Sequence, residues 1–361
     1  MIGRDDLRRF AVGRSLFPPT SLDRALRRFG FVQADPIRAP ARAQDLTMRH
    51  RVVDYRAGDL ERHYTTLGIE EDFFINYGFV TSDVYALMHP RRMVPAWPPP
   101  GKTRSERLLA FVRDRGAVHP REAQERFAHG TVTNYWGGSS NATTHLLDAL
   151  HYRGLLRVAG RRSGIRVYAT VDRPSSSLAA AEVRARVDAL IDVVVGIYAP
   201  LPRPSLSTIV SRLRYAVPQW QKELKAGLRR AHARLSRERV DGIDWFWPAD
   251  EDPAVAGSED AVRMLSPFDP IVWDRRRFEL LWGWAYRFEA YTPAPKRRLG
   301  YYALPLLWRD QVIGWANVSV PRGEVRAELG FVEPGRPSDR TFKRELDREL
   351  DRMRRFLQDP P

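Results

Sequence analysis

Apolar positions recur along this chain in two rhythms, helical from the N-terminus to about Leu235 and alternating through much of Leu265 to Val320. In the first rhythm, Ser21 to Gly30 reads as a helix closed by glycine. The stretch Phe31-Val32-Gln33-Ala34-Asp35-Pro36-Ile37 after it reads as extended, with Pro36 biasing Asp35 away from helix. Residues 102–173 carry the clearest pattern: Leu108, Leu109, Phe111 and Val112 line one helix, His119-Pro120 opens a second, and Asn141 caps a third bearing Leu146, Leu147 and Leu150. Gly154 ends that helix. Two apolar runs at 155–158 and 165–168 then flank Ala159 to Gly164, a basic hairpin tip.

Further on, helices are predicted over 178–197, 205–215 and 217–235, followed by an Asp241-Gly242 turn into Trp245-Phe246-Trp247. The three aromatics suit a core strand, with base stacking as the alternative. Trp282 to Tyr291, Gly300 to Leu307 and Val312 to Val320 alternate like strands of a small barrel or curved sheet. A last helix over 338–358 carries Phe342, Leu346, Leu350, Met353 and Leu357 as one stripe. Prolines at 95, 98, 99 and 100 break the chain, and Arg173 to Ser177 forms a linker. The expected fold is therefore α+β: tandem winged-helix units at 1–96, 102–173 and 176–250, then a barrel-like β subdomain with a terminal helix at 258–361.

Charge narrows the partners. Lys plus Arg total 59 against 44 acidic residues, a formal net charge of +15, which suits a polyanion, with double-stranded DNA the leading candidate. Arg161, Arg162 and Arg166 on the hairpin, and Arg38 and Arg42 after the extended stretch, are the candidate phosphate contacts. With no cysteine and no clustered histidines, neither a disulfide nor a metal site is expected, nor any other cofactor. The N-terminus is charged and no apolar run is long enough to span a membrane, so a cytoplasmic, nucleoid-associated monomer is expected.

In an extended stretch Gln33 and Asp35 project from one face. An amide and a carboxylate so paired can hold and polarise a water molecule; equally, Asp35 can be a solvated turn residue before Pro36 and Gln33 an edge-strand polar group.

Two blocks carry a resemblance. Gln33-Ala34-Asp35 with Ile37, Ala41-Arg42-Ala43 and Arg51 to Tyr55 is similar to the Gln-x-Asp segment of the bacterial winged-helix DNA glycosylases, which include interstrand-crosslink glycosylases. Leu265-Ser266-Pro267-Phe268-Asp269-Pro270, Val272 to Arg275, Tyr291 to Arg297 and Gly300-Tyr301-Tyr302 resemble the same family's C-terminal sequence. The resemblance runs from about residue 4 to residue 357. It implies hydrolysis of the N-glycosidic bond of alkylated purines, in damaged or crosslinked DNA, with Gln33 and Asp35 as the catalytic pair. Lys296 and Arg297 then become candidate DNA contacts, with a turn role as the alternative for Lys296. Phe74-Ile75-Asn76 stands where relatives carry an aromatic-x-His element, which makes Asn76 a substrate-pocket candidate. The rival from another class is a winged-helix regulator or architectural protein that binds DNA without catalysis.

Overall fold

The computed structural model describes residues 2–92, 102–133, 138–171, 178–255, 257–333 and 335–358. The proline break at 95–100, Tyr135-Trp136 and the linker at 173–177 lie outside them. The fold is mixed α+β, and the chain divides into two compact units, one of residues 1–60, 191–210 and 228–361, the other of residues 61–190 and 211–227. Neither unit is a single continuous segment, so the units do not follow the order in which the chain's segments read.

In the first unit, Ser21 caps the Leu22–Phe29 helix by accepting from Arg24 N–H. Gly30, at φ 70°, ends it in the left-handed conformation that a side chain would strain, and the chain turns at once into the strand Phe31–Gln33. That strand is shorter than the predicted stretch: Asp35 lies beyond its end, in the loop that leads to the Ala43–Met48 helix. Strand alternation therefore does not set the direction of Asp35.

The C-terminal part of this unit holds an open four-stranded antiparallel sheet, Val262–Met264, Leu304–Trp308, Gln311–Ser319 and Arg326–Phe331 in that order, rather than a closed barrel. Trp282 to Tyr291 is no strand. Asp274 caps the Arg275–Trp282 helix through Arg276 and Arg277 N–H, Gly283 ends it at φ 69°, and residues 284–289 belong to no helix or strand. Burial still alternates there without a strand: Trp284 and Phe288 are partly buried, Tyr286 fully, with exposed residues between them. Leu265, Ile271, Val272, Phe278, Tyr286, Ala303 and Leu307 form the core beneath, joined by Val12 and Leu16 from the first helix. Trp245, Phe246 and Trp247 are buried in a strand paired with Ser236–Val240, which decides for core over base stacking. The terminal helix Arg340–Leu357 buries Phe342, Glu345, Leu346, Glu349, Met353 and Phe356, so its inner face includes two carboxylates, one of them Glu349 beside the Leu350 that periodicity suggested.

Arg51 ties the two halves of this unit together. All five of its N–H donors are used: Nε to Ser15 O, Nη1 to Thr47 O and Asp269 Oδ2 (2.7 Å), Nη2 to Ser15 Oγ and Asp269 Oδ1 (3.0 Å). Both side chains are fully buried, and the Arg51 guanidinium also lies 5.0 Å over the Phe29 ring.

The second unit follows its sequence pattern closely. His119 caps Pro120–Phe127, Asn141 Oδ1 accepts from Thr144 N–H at the start of Ala142–Tyr152, and Gly154 follows that helix at φ 71°. Leu156–Arg162 and Ile165–Thr170 pair antiparallel across a two-residue turn of Ser163 and Gly164, both at positive φ. Ala117-Val118 completes that sheet on the far side of the second strand.

A buried pair stripped of one partner leaves an uncompensated charge, so Asp269→Asn is expected to lower the unfolding free energy of the first unit by about 3–5 kcal/mol in urea denaturation. Arg27→Ala, which breaks an exposed pair with Asp23, serves as the control that leaves the midpoint nearly unmoved.

Candidate active site

Asp35 is half-buried in the loop after the Phe31–Gln33 strand, and its Oδ1 accepts from Ile37 N–H at 2.9 Å, a local turn shaped by Pro36. Its own N–H points at Oε1 of Gln44, 3.5 Å away, a fully buried amide on the Ala43–Met48 helix. Burial lifts the Asp35 carboxyl above its usual value, opposed only in part by the Ile37 N–H. Gln33, partly buried, ends the strand two residues earlier. A half-buried carboxylate in partial contact with water, two residues from Gln33 and with Gln44 at its backbone, suits charge stabilisation and water handling.

The second block that resembles the glycosylases lies in the same unit, within electrostatic reach of Asp35. The Asp35 charge helps to raise the phenols of Tyr291 and Tyr302, after burial as the larger cause in each. Glu289 Oε2 accepts from both Arg298 and Leu299 N–H at 2.8 Å, which closes the loop carrying Tyr291 to Lys296. Gly300 stands at φ 118°, where a Cβ would meet Asn317 Oδ1 at 2.4 Å, so only glycine lets the chain turn into Tyr301 and Tyr302. Lys296 is exposed on a short turn, and Arg297 donates to Thr292 O while lying 4.9 Å over the Tyr301 ring. Arg38 is exposed and Arg42 half-buried at the start of the Ala43–Met48 helix.

The remaining predicted residues belong to the second unit. Asn76 sits in the three-residue tip between Ile69–Phe73 and Tyr77–Thr81, with Oδ1 3.5 Å from Arg212 Nη1. Arg161 makes a bidentate pair with the buried Glu71 at 2.8 and 2.6 Å, and Arg166 pairs with Asp148 at 3.1 Å and lies over Tyr77. Burial works against the charge on Arg166, yet Tyr77 and Asp148 raise its pKa further. Arg162 pairs with Glu122 at 3.0 Å but keeps 63% of its side chain exposed. Of the three hairpin arginines, Arg162 is thus the one whose guanidinium is mostly in solvent. Among the described residues no group of three or more His, Asp or Glu is arranged to hold a metal ion.

Gln44, Tyr291 and Tyr302 were not singled out as functional by sequence. Gln44 carries no signal of its own in a helical segment, whereas both tyrosines fall inside the C-terminal block that resembles the glycosylases.

A fold of this kind with a half-buried carboxylate near basic and aromatic loops fits an enzyme acting on nucleic acid. The model of the family described as DNA glycosylase AlkZ-like matches residues 26–356, so the chain belongs to the AlkZ-like family and is a DNA glycosylase. Among solved structures, Streptomyces sahachiroi DNA glycosylase AlkZ is similar at a TM-score of 0.64 and 13% identity, covering 99% of this chain and 98% of that one. At that identity the likeness speaks for the fold.

If the Arg161–Glu71 pair is structural, Arg161→Ala lowers the melting temperature by roughly 4 °C or more while Arg162→Ala moves it by no more than about 1 °C. An unchanged melting temperature with weakened duplex binding for Arg161→Ala would instead assign Arg161 to a phosphate.

Proposed function

We propose that this glycosylase hydrolyses the N-glycosidic bond of purines alkylated at N7 or N3, including bulky adducts and interstrand crosslinks, and leaves an abasic site uncleaved. The observation that carries this reading is Asp35: a carboxylate raised by burial, next to Gln33, in the segment matched by the family. An alkylated purine is already cationic and leaves without a strong general acid, so the protein needs chiefly to stabilise the sugar's developing oxocarbenium charge and to guide water. A carboxylate about 4 Å from that charge contributes roughly 4 kcal/mol at an effective dielectric near 20, before desolvation is subtracted. That is about a thousandfold in rate. Asp35 faces the cation or takes a proton from water, and Gln33, able both to donate and to accept, orients that water. Lys296 is exposed on a turn, so a Schiff-base route has little support beside a carboxylate mechanism.

Duplex DNA is bound by basic residues that each unit carries. The helices and hairpin of residues 102–170 have the element order of a winged helix, and we assign Arg162 to phosphate contact, joined by the exposed Arg38 and Lys296. Asn76 is proposed to tune which adducts are accepted.

Incubation with N7-alkylated DNA is expected to release free base, detected by mass spectrometry, without metal or nucleotide; silence across several adduct types would remove the catalytic reading and favour a DNA-binding protein without chemistry. Asp35→Asn is expected to lower the single-turnover rate by about a hundredfold or more, and Gln33→Ala by less, with duplex affinity kept. Because the Asp35 pKa is raised from 3.8, the ionised fraction, and with it the rate, climbs as pH increases through a midpoint above that value. Asp35→Asn abolishes this acid limb; an unaltered limb in the variant would assign the titration to another group.

A further inference from the structure

Within electrostatic reach of Asp35 lies an aromatic cluster that the hydrolytic scheme leaves without a role. The Phe288 ring meets Tyr302 at 5.0 Å and Tyr291 at 6.0 Å, each nearly perpendicular at 83°, and Phe268 at 5.2 Å. Tyr302 is 3% exposed and its hydroxyl, though Ser266 is a polar neighbour, makes no hydrogen bond of normal geometry. A buried polar group left in that state costs free energy and calls for an explanation. Tyr291 is the opposite case, 74% exposed although it is large and aromatic. Tyr301 is also partly exposed, but Arg297 already covers a face of its ring at 4.9 Å. No arginine stacks on Tyr291 among the described residues, so its ring is open to a cation from elsewhere.

The two anomalies have one explanation. An exposed phenol ring supplies an electron-rich face, the adjacent carboxylate adds negative potential, and the buried hydroxyl supplies a hydrogen bond still to be made. We propose that Tyr291 and Tyr302 form a subsite for a positively charged purine base beside Asp35, in which the base stacks on Tyr291 and pairs with the Tyr302 hydroxyl. This rests on the reading of the substrate as an alkylated purine, and it adds the basis of selectivity: a cationic base is held more tightly than the same base uncharged. Stacking of either base on the ring is comparable, so the discrimination comes from the charge.

The test is direct binding to the intact protein, followed by NMR or calorimetry, with N7-methylguanosine at mildly acidic pH, where it is cationic, and guanosine as the uncharged control. N7-methylguanosine is expected to bind about tenfold more tightly than guanosine, the scale of one partly desolvated cation–π contact. Tyr291→Leu, which keeps apolar bulk but removes the ring, erases most of that preference, and Tyr291→Phe retains it. Tyr302→Phe leaves the melting temperature unchanged or raised, since it removes an unpaired hydroxyl, yet weakens N7-methylguanosine several-fold. Equal affinity for the two nucleosides, no binding of either, or a preference that survives Tyr291→Leu overturns the subsite. Asp35-dependent base release with a fully active Tyr291→Leu variant discards the subsite and keeps the glycosylase reading. Tyr291-dependent nucleoside binding in a protein that releases no alkylated base does the reverse.

Discussion

The Arg51–Asp269 pair is the constraint on which the first unit depends. A guanidinium with no exposed surface has to satisfy every donor, and it does so with only three residues: Ser15, Thr47 and Asp269. Those residues come from the end of the first helix, the helix behind the Asp35 loop, and the Ser266 to Asp269 turn. Hydrophobic burial could hold these segments together in several registers, because it has little direction. The planar fork against a carboxylate admits essentially one.

From that point the active-site geometry follows by short links. Gln44, three residues before Thr47, presents its amide to the Asp35 backbone, and Ser266, three residues before Asp269, neighbours the Tyr302 hydroxyl. A second buried carboxylate repeats the device: Glu349 of the terminal helix takes the buried Arg49 at 2.9 Å, the partly exposed Arg352 at 3.0 Å and Met264 N–H at 2.9 Å. Such pairs add little net stability compared with apolar packing, but they penalise every alternative arrangement heavily. A reaction site assembled from segments more than two hundred residues apart gains more from that penalty than from extra burial.

The parts of the fold legible in sequence were those with local causes. The His119, Asn141 and Gly30 boundaries, the hairpin around Ser163-Gly164 and the terminal helix follow from caps, turn residues and periodicity that act within a few positions, although the hairpin's first strand runs on through Arg162, inside the expected tip. Trp282 to Tyr291 misled because its burial alternates from Trp284 to Phe288 although no neighbouring strand is there to bond it. The expected barrel failed with it, since the sheet lacks that strand and stays open at four. The strand through Asp35 stopped short at Gln33; the Ile37 N–H holds the carboxylate instead, and a buried glutamine, Gln44, faces the Asp35 backbone N–H.

By itself the sequence determined the local elements, the basic character and, through two separated blocks, the family. Tertiary structure alone decided which charges are spoken for: nothing within a few residues of Arg161 reveals that Glu71 claims it, or that Arg162 next to it stays mostly in solvent. It also decided that Tyr291 and Tyr302 stand beside Asp35. Caps and periodicity are set by neighbours along the chain, whereas ion pairing and burial depend on what folding brings within a few ångströms, and no short window of sequence contains that information.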